Sequence, residues 1–130
     1  MAAFSDYMEN KIIQDELRAA NVYLALFTAN TNLEINAPTA EVSGGSYARQ
    51  LCALDAASGG ASANTSLITF PTATASWGTV THWALVDHVS NAGWGTNVNV
   101  LMHAAVNTSK LVDNGDTAKV TAGELDVSVD

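Results

Sequence analysis

Two apolar segments separated by a polar bend form the most regular pattern in the chain and predict a central pair of strands. The first strand ends at Phe70, because Pro71 cannot donate to a sheet ladder. A bend of small polar residues and Trp77-Gly78 follows, and a second strand is predicted from Val80 to Asp87. Large apolar side chains alternate onto both sides of this second strand. The pattern therefore predicts a strand in the middle of the protein with little exposure to water.

An amphipathic helix is predicted at the amino-terminal end, over residues 4 to about 19. Ser5 is a suitable N-cap for it. The apolar residues at helical spacing are Phe4, Met8, Ile12, Ile13, Leu17 and Ala20. The charged residues expected on the polar side are Glu9, Lys11, Asp15 and Glu16. Two arrangements stay open: the helix packs against the β body, or it reaches across to a neighbouring subunit through Phe4, Met8 and Ile12.

The rest of the chain predicts short strands separated by turns. The further strands are expected at residues 22–28, 47–54, 97–106, 110–112, 117–121 and 124–130. Residues 29–40 and 55–64 are expected to be loops, and Asp113-Asn-Gly-Asp116 is expected to be a hairpin turn because Asn-Gly tolerates positive φ. The fold class is therefore mainly β, a jelly-roll-like arrangement or β-sandwich of about eight strands with an N-terminal α-helix. Residues 1–20 form the helix in this division, and residues 21–130 form a single β-sandwich domain.

Four residues outside the helix are further candidates for a protein interface. Leu33 and Ile35 are the only large apolar residues of the 29–40 loop, and they either tuck under the loop or contact a partner. Arg49 lies among apolar residues, either with its stem along the surface or at an interface, where arginine is enriched. Trp94 lies in a Gly-rich loop, and it either covers the core as a lid or is presented to a partner.

Composition changes this picture by narrowing the possible partners. Only 14% of the residues are charged, which suits either a surface largely covered by partners or a small β domain with a neutral surface. The net charge is −8, and the five basic residues are scattered along the chain. Phosphate binding requires clustered Lys and Arg, so neither nucleic acid nor an anionic membrane is an expected partner.

No pattern of catalytic, cofactor-binding or metal-binding residues is found in the sequence, and an enzyme is not expected. His82 and His88 would lie about 20 Å apart on one continuous strand, too far for one metal ion. The Asp113–Asp116 turn resembles a calcium loop only superficially. Cys52 is the single cysteine and is expected to be a buried structural residue. No secretory signal or membrane-spanning run is apparent, so synthesis in a cytoplasm is expected.

Several blocks of the sequence resemble a family of small virion proteins of tailed bacteriophages. The resemblance covers nearly the whole chain and is strongest at Gly-Gly-Ser-Tyr-Ala-Arg, residues 44–49, and Phe-Pro-Thr-Ala-Thr, residues 70–74. It extends over residues 22–28, 41–50, 68–82, 106–110 and 113–116. The strand Trp83–Val86 and the longer loop around Trp94 depart from the pattern.

The resemblance implies a structural protein of the virion, made in the cytoplasm of a bacterial host. The leading expectation is a capsid cement or decoration protein at the capsid surface, which binds as a dimer or trimer between subunits of the major capsid protein and stabilises the head. One alternative is a tail-fibre or tail-associated component that contacts the host, with a host glycan as a partner. The other alternative is a carbohydrate-binding module. No cofactor is implied.

Overall fold

The fold begins with a short helix that is capped as the sequence predicts. The computed structural model describes residues 2–18 and 21–129. Helix α1 covers Asp6–Ile12, the Ser5 hydroxyl accepts a hydrogen bond from the amide of Met8, and a π-helical segment continues over Ile13–Arg18. Ala20 and the predicted end of the helix lie outside the described residues. The N-cap prediction is confirmed.

The helix packs against the β body through the second half of its apolar stripe. Ile13 and Leu17 are buried in the core, whereas Phe4 and Met8 are exposed. The placement of Glu9 on the polar side was wrong, because its side chain is buried against Gly60. Helical periodicity alone does not show that a glycine turn from elsewhere in the chain covers this position.

Eight antiparallel strands and the single N-terminal helix make the described part of the chain mainly β, which confirms the predicted fold class. The strands are β1 (Tyr23–Phe27), β2 (Gln50–Leu51), β3 (Ala61–Ala63), β4 (Ile68–Thr69), β5 (Gly78–Val86), β6 (Val100–Val112), β7 (Lys119–Val120) and β8 (Asp126–Ser128). One four-stranded sheet has the order β2-β1-β5-β6, and two small sheets pair β3 with β8 and β4 with β7. The jelly-roll arrangement and the division at residue 20 stay predictions.

Strand β5 occupies the inside of the four-stranded sheet and separates two cores. Leu85 and the partly buried Trp83 face the larger core, whereas Ala84 and Val86 face the smaller one. Val80 belongs to the larger core because the register shifts between Val80 and His82. The predicted burial on both sides of this strand is confirmed.

Several predicted bounds were wrong, and the sequence left the pairing partner of each strand open. The two central strands do not pair with each other: β4 pairs with β7, and β5 pairs with β1 and β6. The predicted loop 55–64 contains β3, which pairs with β8. The predicted strands 97–106 and 110–112 are one strand, β6. These errors share a cause, because local patterns do not state which distant strand supplies the hydrogen-bond partners.

Two other local predictions need correction. The predicted strand 47–54 is reduced to Gln50–Leu51, because the alternation of buried and exposed side chains breaks there. Arg49 and Cys52, which lie three residues apart, are both buried, and Leu51 is exposed. Residues 113–116 do form a turn, with the amide of Asp116 bonded to the carbonyl of Asp113. That turn does not make a hairpin, since β7 pairs with β4 and not with β6. In the predicted strand 124–130, β8 and the residues just before it alternate as in a half-buried strand, with Leu125 and Val127 buried and Glu124, Asp126 and Ser128 exposed.

Candidate interaction surface

An exposed apolar turn lies at the start of helix α1. Phe4, Tyr7 and Met8 are all exposed, and Tyr7 has 74% of its surface accessible. The third candidate of the stripe, Ile12, is partly buried and lines a cleft of about 480 Å³ between the helix, β6 and β8. Phe4 and Met8 are thus both exposed at the start of the helix, whereas Ile12 faces the β body.

The residues that follow this exposed turn are held firmly to the β body. The amide of Gly60 donates to Asn10 Oδ1 at 2.8 Å, and the side chain of Arg18 donates from Nε to the carbonyl of Leu54 at 3.0 Å. The amide of Ala57 also donates to Gln14 Oε1. Because the helix is anchored behind its first turn, the exposed side chains of that turn have a defined position relative to the sheet.

The loop over residues 29–40 separates its two apolar candidates. Leu33 is 1% exposed and belongs to the smaller core, whereas Ile35 is 69% exposed. The amide of Val100 donates to Asn36 Oδ1 at 2.7 Å, and Glu34 pairs with His103 at 2.8 Å. These contacts fix the loop over the sheet. Leu33 is therefore a core residue that is inaccessible to a partner, and Ile35 remains a candidate contact.

Arg49 is buried and ion-paired, which neither of the two sequence-based alternatives anticipated. Its Nε and Nη2 atoms donate to the two carboxylate oxygens of Glu41 at 2.7 and 2.8 Å, and Nη1 donates to the carbonyl of His88 at 2.9 Å. Burial alone would lower the pKa of Arg49, but hydrogen bonding and attraction from Glu41 outweigh it and raise the pKa. The side chain ties three segments together and is not free for a partner.

Tyr47 extends the same network into the larger core. Its hydroxyl donates to Glu41 Oε2 at 2.8 Å and accepts from the amide of Leu26 at 3.0 Å. Burial and the negative charge of Glu41 raise the pKa of Tyr47 well above its usual value. The Tyr47 ring packs edge-on against Trp77 at 5.4 Å. The Gly-Gly-Ser-Tyr-Ala-Arg block is therefore a structural clamp.

Trp94 covers the smaller core, as the lid alternative predicts. Its ring lies 6.3 Å from the ring of Phe27, and the Arg49 guanidinium lies 5.0 Å from the Trp94 ring centroid. The cation–π contact explains how a Trp in a Gly-rich loop is held in place. The side chain is only partly buried.

A groove lies beside the second half of β6, between that strand and residues 116–126. It has a volume of about 800 Å³ and contains apolar side chains such as Trp83 and Val106. Lysine and carboxylate side chains also line it, as do exposed residues of β6 that include Leu111. Sequence reasoning missed this groove because its walls come from strands whose pairing was not predicted.

Two further residues of these surfaces were also missed. Tyr7 precedes Met8 and breaks the apolar spacing of the helix, so its exposure is visible only in the structure. Glu41 forms an ion pair with Arg49. The one feature of the sequence that could have indicated this pair is an acidic residue shortly before a basic residue in an apolar segment.

The described residues contain no group of three or more His, Cys, Asp or Glu side chains that could hold a metal ion. Within the same residues, no helix is both long enough and apolar enough to cross a membrane.

A known protein family resembles nearly the whole chain. The model of the family described as podophage GP4 fiber I protein gp80 matches residues 3–128. No curated protein matches the chain.

Proposed function

This chain belongs to the podophage GP4 fiber I protein gp80 family, and on that premise we propose that it is a component of the tail-fibre apparatus of a tailed phage. The family match over residues 3–128 carries the proposal and confirms the resemblance to small tailed-phage virion proteins. The protein is a phage structural protein of the virion. We propose that it binds other virion proteins without catalysing a reaction, and that nucleic acid and membranes are not its partners.

The exposed helix turn supports attachment to a neighbouring virion protein. Phe4, Tyr7 and Met8 present large apolar side chains to solvent, and large exposed apolar groups that adjoin one another commonly mark contact sites. The anchoring of Asn10 and Arg18 holds this turn in a fixed place. A rigid contact loses little conformational entropy on binding, which favours permanent assembly.

A capsid cement or decoration role, with the major capsid protein as partner, is the second candidate. The sequence has no internal repeat of the kind that builds an elongated shaft. A compact unit without repeats suits a protein bound at capsid lattice junctions as well as a unit at the base of a fibre. Localisation at the capsid surface belongs to this candidate, and a role for a host glycan belongs to the fibre candidate or to a carbohydrate-binding module.

Copy number in purified virions separates the two leading candidates. A fibre component should be present at a small fraction of the copy number of the major capsid protein, and phage that lack it should fail to adsorb to the host. A cement protein should approach the copy number of the major capsid protein, and its loss should lower the temperature at which heads rupture. A copy number near that of the capsid protein with normal adsorption of the deletion phage would refute the fibre role.

The attachment surface is tested by complementation of the deletion phage. Tyr7→Asp should abolish incorporation of the protein into virions, because it places a charge in the apolar contact. Leu67→Asp is the matched control, since Leu67 is also an exposed large apolar residue but lies just before strand β4. Equal incorporation of both variants, with the far-UV circular dichroism of each unchanged, would exclude the helix turn as the contact.

A further inference from the structure

The turn after β6 contains the one Asn-Gly pair of the chain, Asn114-Gly115, and both residues are exposed. The side-chain amide of an asparagine can react with the backbone nitrogen of the next residue. Glycine hinders this reaction least, because it has no Cβ and leaves the backbone free to rotate. The pair is therefore the place in the sequence where deamidation is chemically easiest.

Deamidation at this pair needs no reagent other than water and the hydroxide it supplies. The Gly115 nitrogen gives its proton to hydroxide and attacks Cγ of Asn114, so that a C–N bond forms. The side-chain nitrogen takes up a proton and leaves as ammonia, which gives a five-membered succinimide ring. Water then opens the ring at either of its two carbonyls, and the product is aspartate or isoaspartate.

The fold engages the nitrogen that has to attack. The amide of Gly115 donates to the carbonyl of Ala73 at 2.7 Å, and the amide of Ala73 donates to the carbonyl of Asp116 at 2.8 Å. Ala73 is 1% exposed, so this pair of bonds joins the turn to the larger core. Gly115 cannot keep its hydrogen bond to Ala73 and also lose that proton. The bond therefore has to break before the ring forms.

The backbone conformation of the turn also opposes ring closure. The amide of Asp116 donates to the carbonyl of Asp113 at 2.9 Å, which makes Asn114 and Gly115 the two central residues. Gly115 has a φ of +94°, whereas Asn114 is not among the residues with positive φ. This combination is that of a type II turn, in which ψ of the first central residue is about +120°. The succinimide ring requires the Gly115 nitrogen to eclipse Cβ of Asn114, and in an L-residue that takes a ψ of opposite sign.

We propose that Asn114 is a modification site of this protein, at which deamidation is slow while Gly115 is bonded to Ala73 and fast once the turn opens. Isoaspartate inserts the side-chain methylene into the main chain, so the product cannot rebuild the same turn. Either product also adds a negative charge between Asp113 and Asp116, in a chain whose net charge is already −8. Each reacted copy therefore has a turn that is held less firmly to the core. This chemistry does not depend on whether the protein serves in the tail or on the head.

Mass spectrometry of the tryptic peptide 111–119 measures the reaction, because Lys110 and Lys119 provide the cleavage sites and Asn114 is the one asparagine between them. The purified protein is incubated at one mildly alkaline pH, both native and unfolded in guanidinium chloride. Conversion in the native protein should be at least about tenfold slower, which corresponds to an opening free energy of about 1.4 kcal/mol. Equal rates in the two states, or no conversion in either, would overturn the proposal.

Two variants test whether the turn itself controls the rate. The amide of Asp113 donates to the Asp116 carboxylate at 2.9 Å, and Asp116→Ala removes that bond. Asp113→Ala is the matched control, because it removes the same charge on the other side of Asn114 and keeps the backbone amide of residue 113.

The ratio of the native to the unfolded rate removes the effect of each substitution on the intrinsic chemistry. This ratio should rise at least about twofold in Asp116→Ala, which lacks one hydrogen bond of the turn, and should stay unchanged in Asp113→Ala. Far-UV circular dichroism checks that both variants are folded. An unchanged ratio in folded Asp116→Ala, or an equal rise in both variants, would show that the turn does not control the reaction.

Discussion

Arg49 shows how a single side chain can hold together segments that lie far apart in the sequence. It binds Glu41 through two hydrogen bonds, the carbonyl of His88 through a third, and the ring of Trp94 through its cationic face. The sequence indicated that Arg49 lies among apolar residues, but not that an acid eight positions earlier reaches it. A charged residue in an apolar segment can be a surface side chain or a member of a buried ion pair, and only the tertiary structure distinguishes these two cases.

Arg49→Ala should destabilise the protein by about 3 kcal/mol, because it leaves Glu41 largely buried without its partner. Arg49→Lys should destabilise the protein less, because it keeps the positive charge, although it loses the bidentate hydrogen bonds to Glu41. The free energy of unfolding from urea titration measures both variants. A change below about 0.5 kcal/mol in Arg49→Ala, the range of ordinary surface substitutions, would show that the ion pair contributes little.

Cys52 should be almost inert in the folded protein, in accord with its predicted structural role. Burial raises the pKa of its thiol from 9.0 to about 11. At pH 8 its thiolate population should therefore be about 100-fold lower than that of an unperturbed thiol, and alkylation should be slow until urea unfolds the chain. Rapid alkylation of the native protein at pH 8 would contradict the burial of this side chain.

The same raised pKa predicts a loss of stability in alkaline solution. The folded state favours the neutral thiol, so this contribution is fully present below pH 9 and is lost as the pH rises towards about 11. The raised pKa of Tyr47 acts in the same direction above its usual value of 10.0. Cys52→Ala should consequently show a shallower decline in unfolding free energy between pH 9 and 11 than the wild type.

Among the elements, the anchoring of helix α1 depends on one glycine turn. Gly60 has a φ of +76°, and a Cβ there would meet the carboxylate of Glu9 and, at 2.9 Å, the carbonyl of Val129. Gly59 has a φ of +59°, but a Cβ there would meet open space. Both positions carry the cost of a left-handed backbone, and only Gly60 adds a clash with the helix.

Gly60→Ala should therefore destabilise the protein more than Gly59→Ala, whose cost is about 1–2 kcal/mol for the left-handed conformation alone. Urea unfolding of the two variants measures this difference directly. In Gly60→Ala the loosened helix should also expose the peptide around Leu17 to faster hydrogen–deuterium exchange. Equal stability of the two variants would mean that the helix adjusts to the extra methyl group without loss.

The elements that the sequence predicted well are those whose burial pattern is local. The segment that ends in β8 alternates buried Leu125 and Val127 with exposed polar residues, and this alternation can be recognised from the sequence alone. Strand β3 consists of Ala61, Ser62 and Ala63, which have little intrinsic preference for a strand, and it is ordered by pairing with β8. The groove was not predicted for the same reason, because it is formed by which strands become neighbours.

At the scale of the whole molecule, the four-stranded sheet carries a core on each face, and this arrangement predicts that the protein unfolds in one step. Ala84 and Leu85 are adjacent in β5 but belong to different cores, so displacement of β5 disrupts both cores at once. Trp77 reports on the larger core, and Trp94 covers the smaller one. Two variants that each keep one of these tryptophans, with the other tryptophans changed to Phe, isolate the two signals.

In each variant, the urea midpoint from tryptophan fluorescence should coincide with the midpoint from far-UV circular dichroism of the same protein, as two-state unfolding requires. Comparison within one protein removes the effect of the substitutions on stability. An earlier fluorescence midpoint in the Trp94 variant alone would mean that the loop 88–98 and its core open independently. The contacts of Arg49 argue against that result. Arg49 binds the carbonyl of His88 in this loop and also binds Glu41, and Glu41 pairs through its backbone with Phe27 of β1.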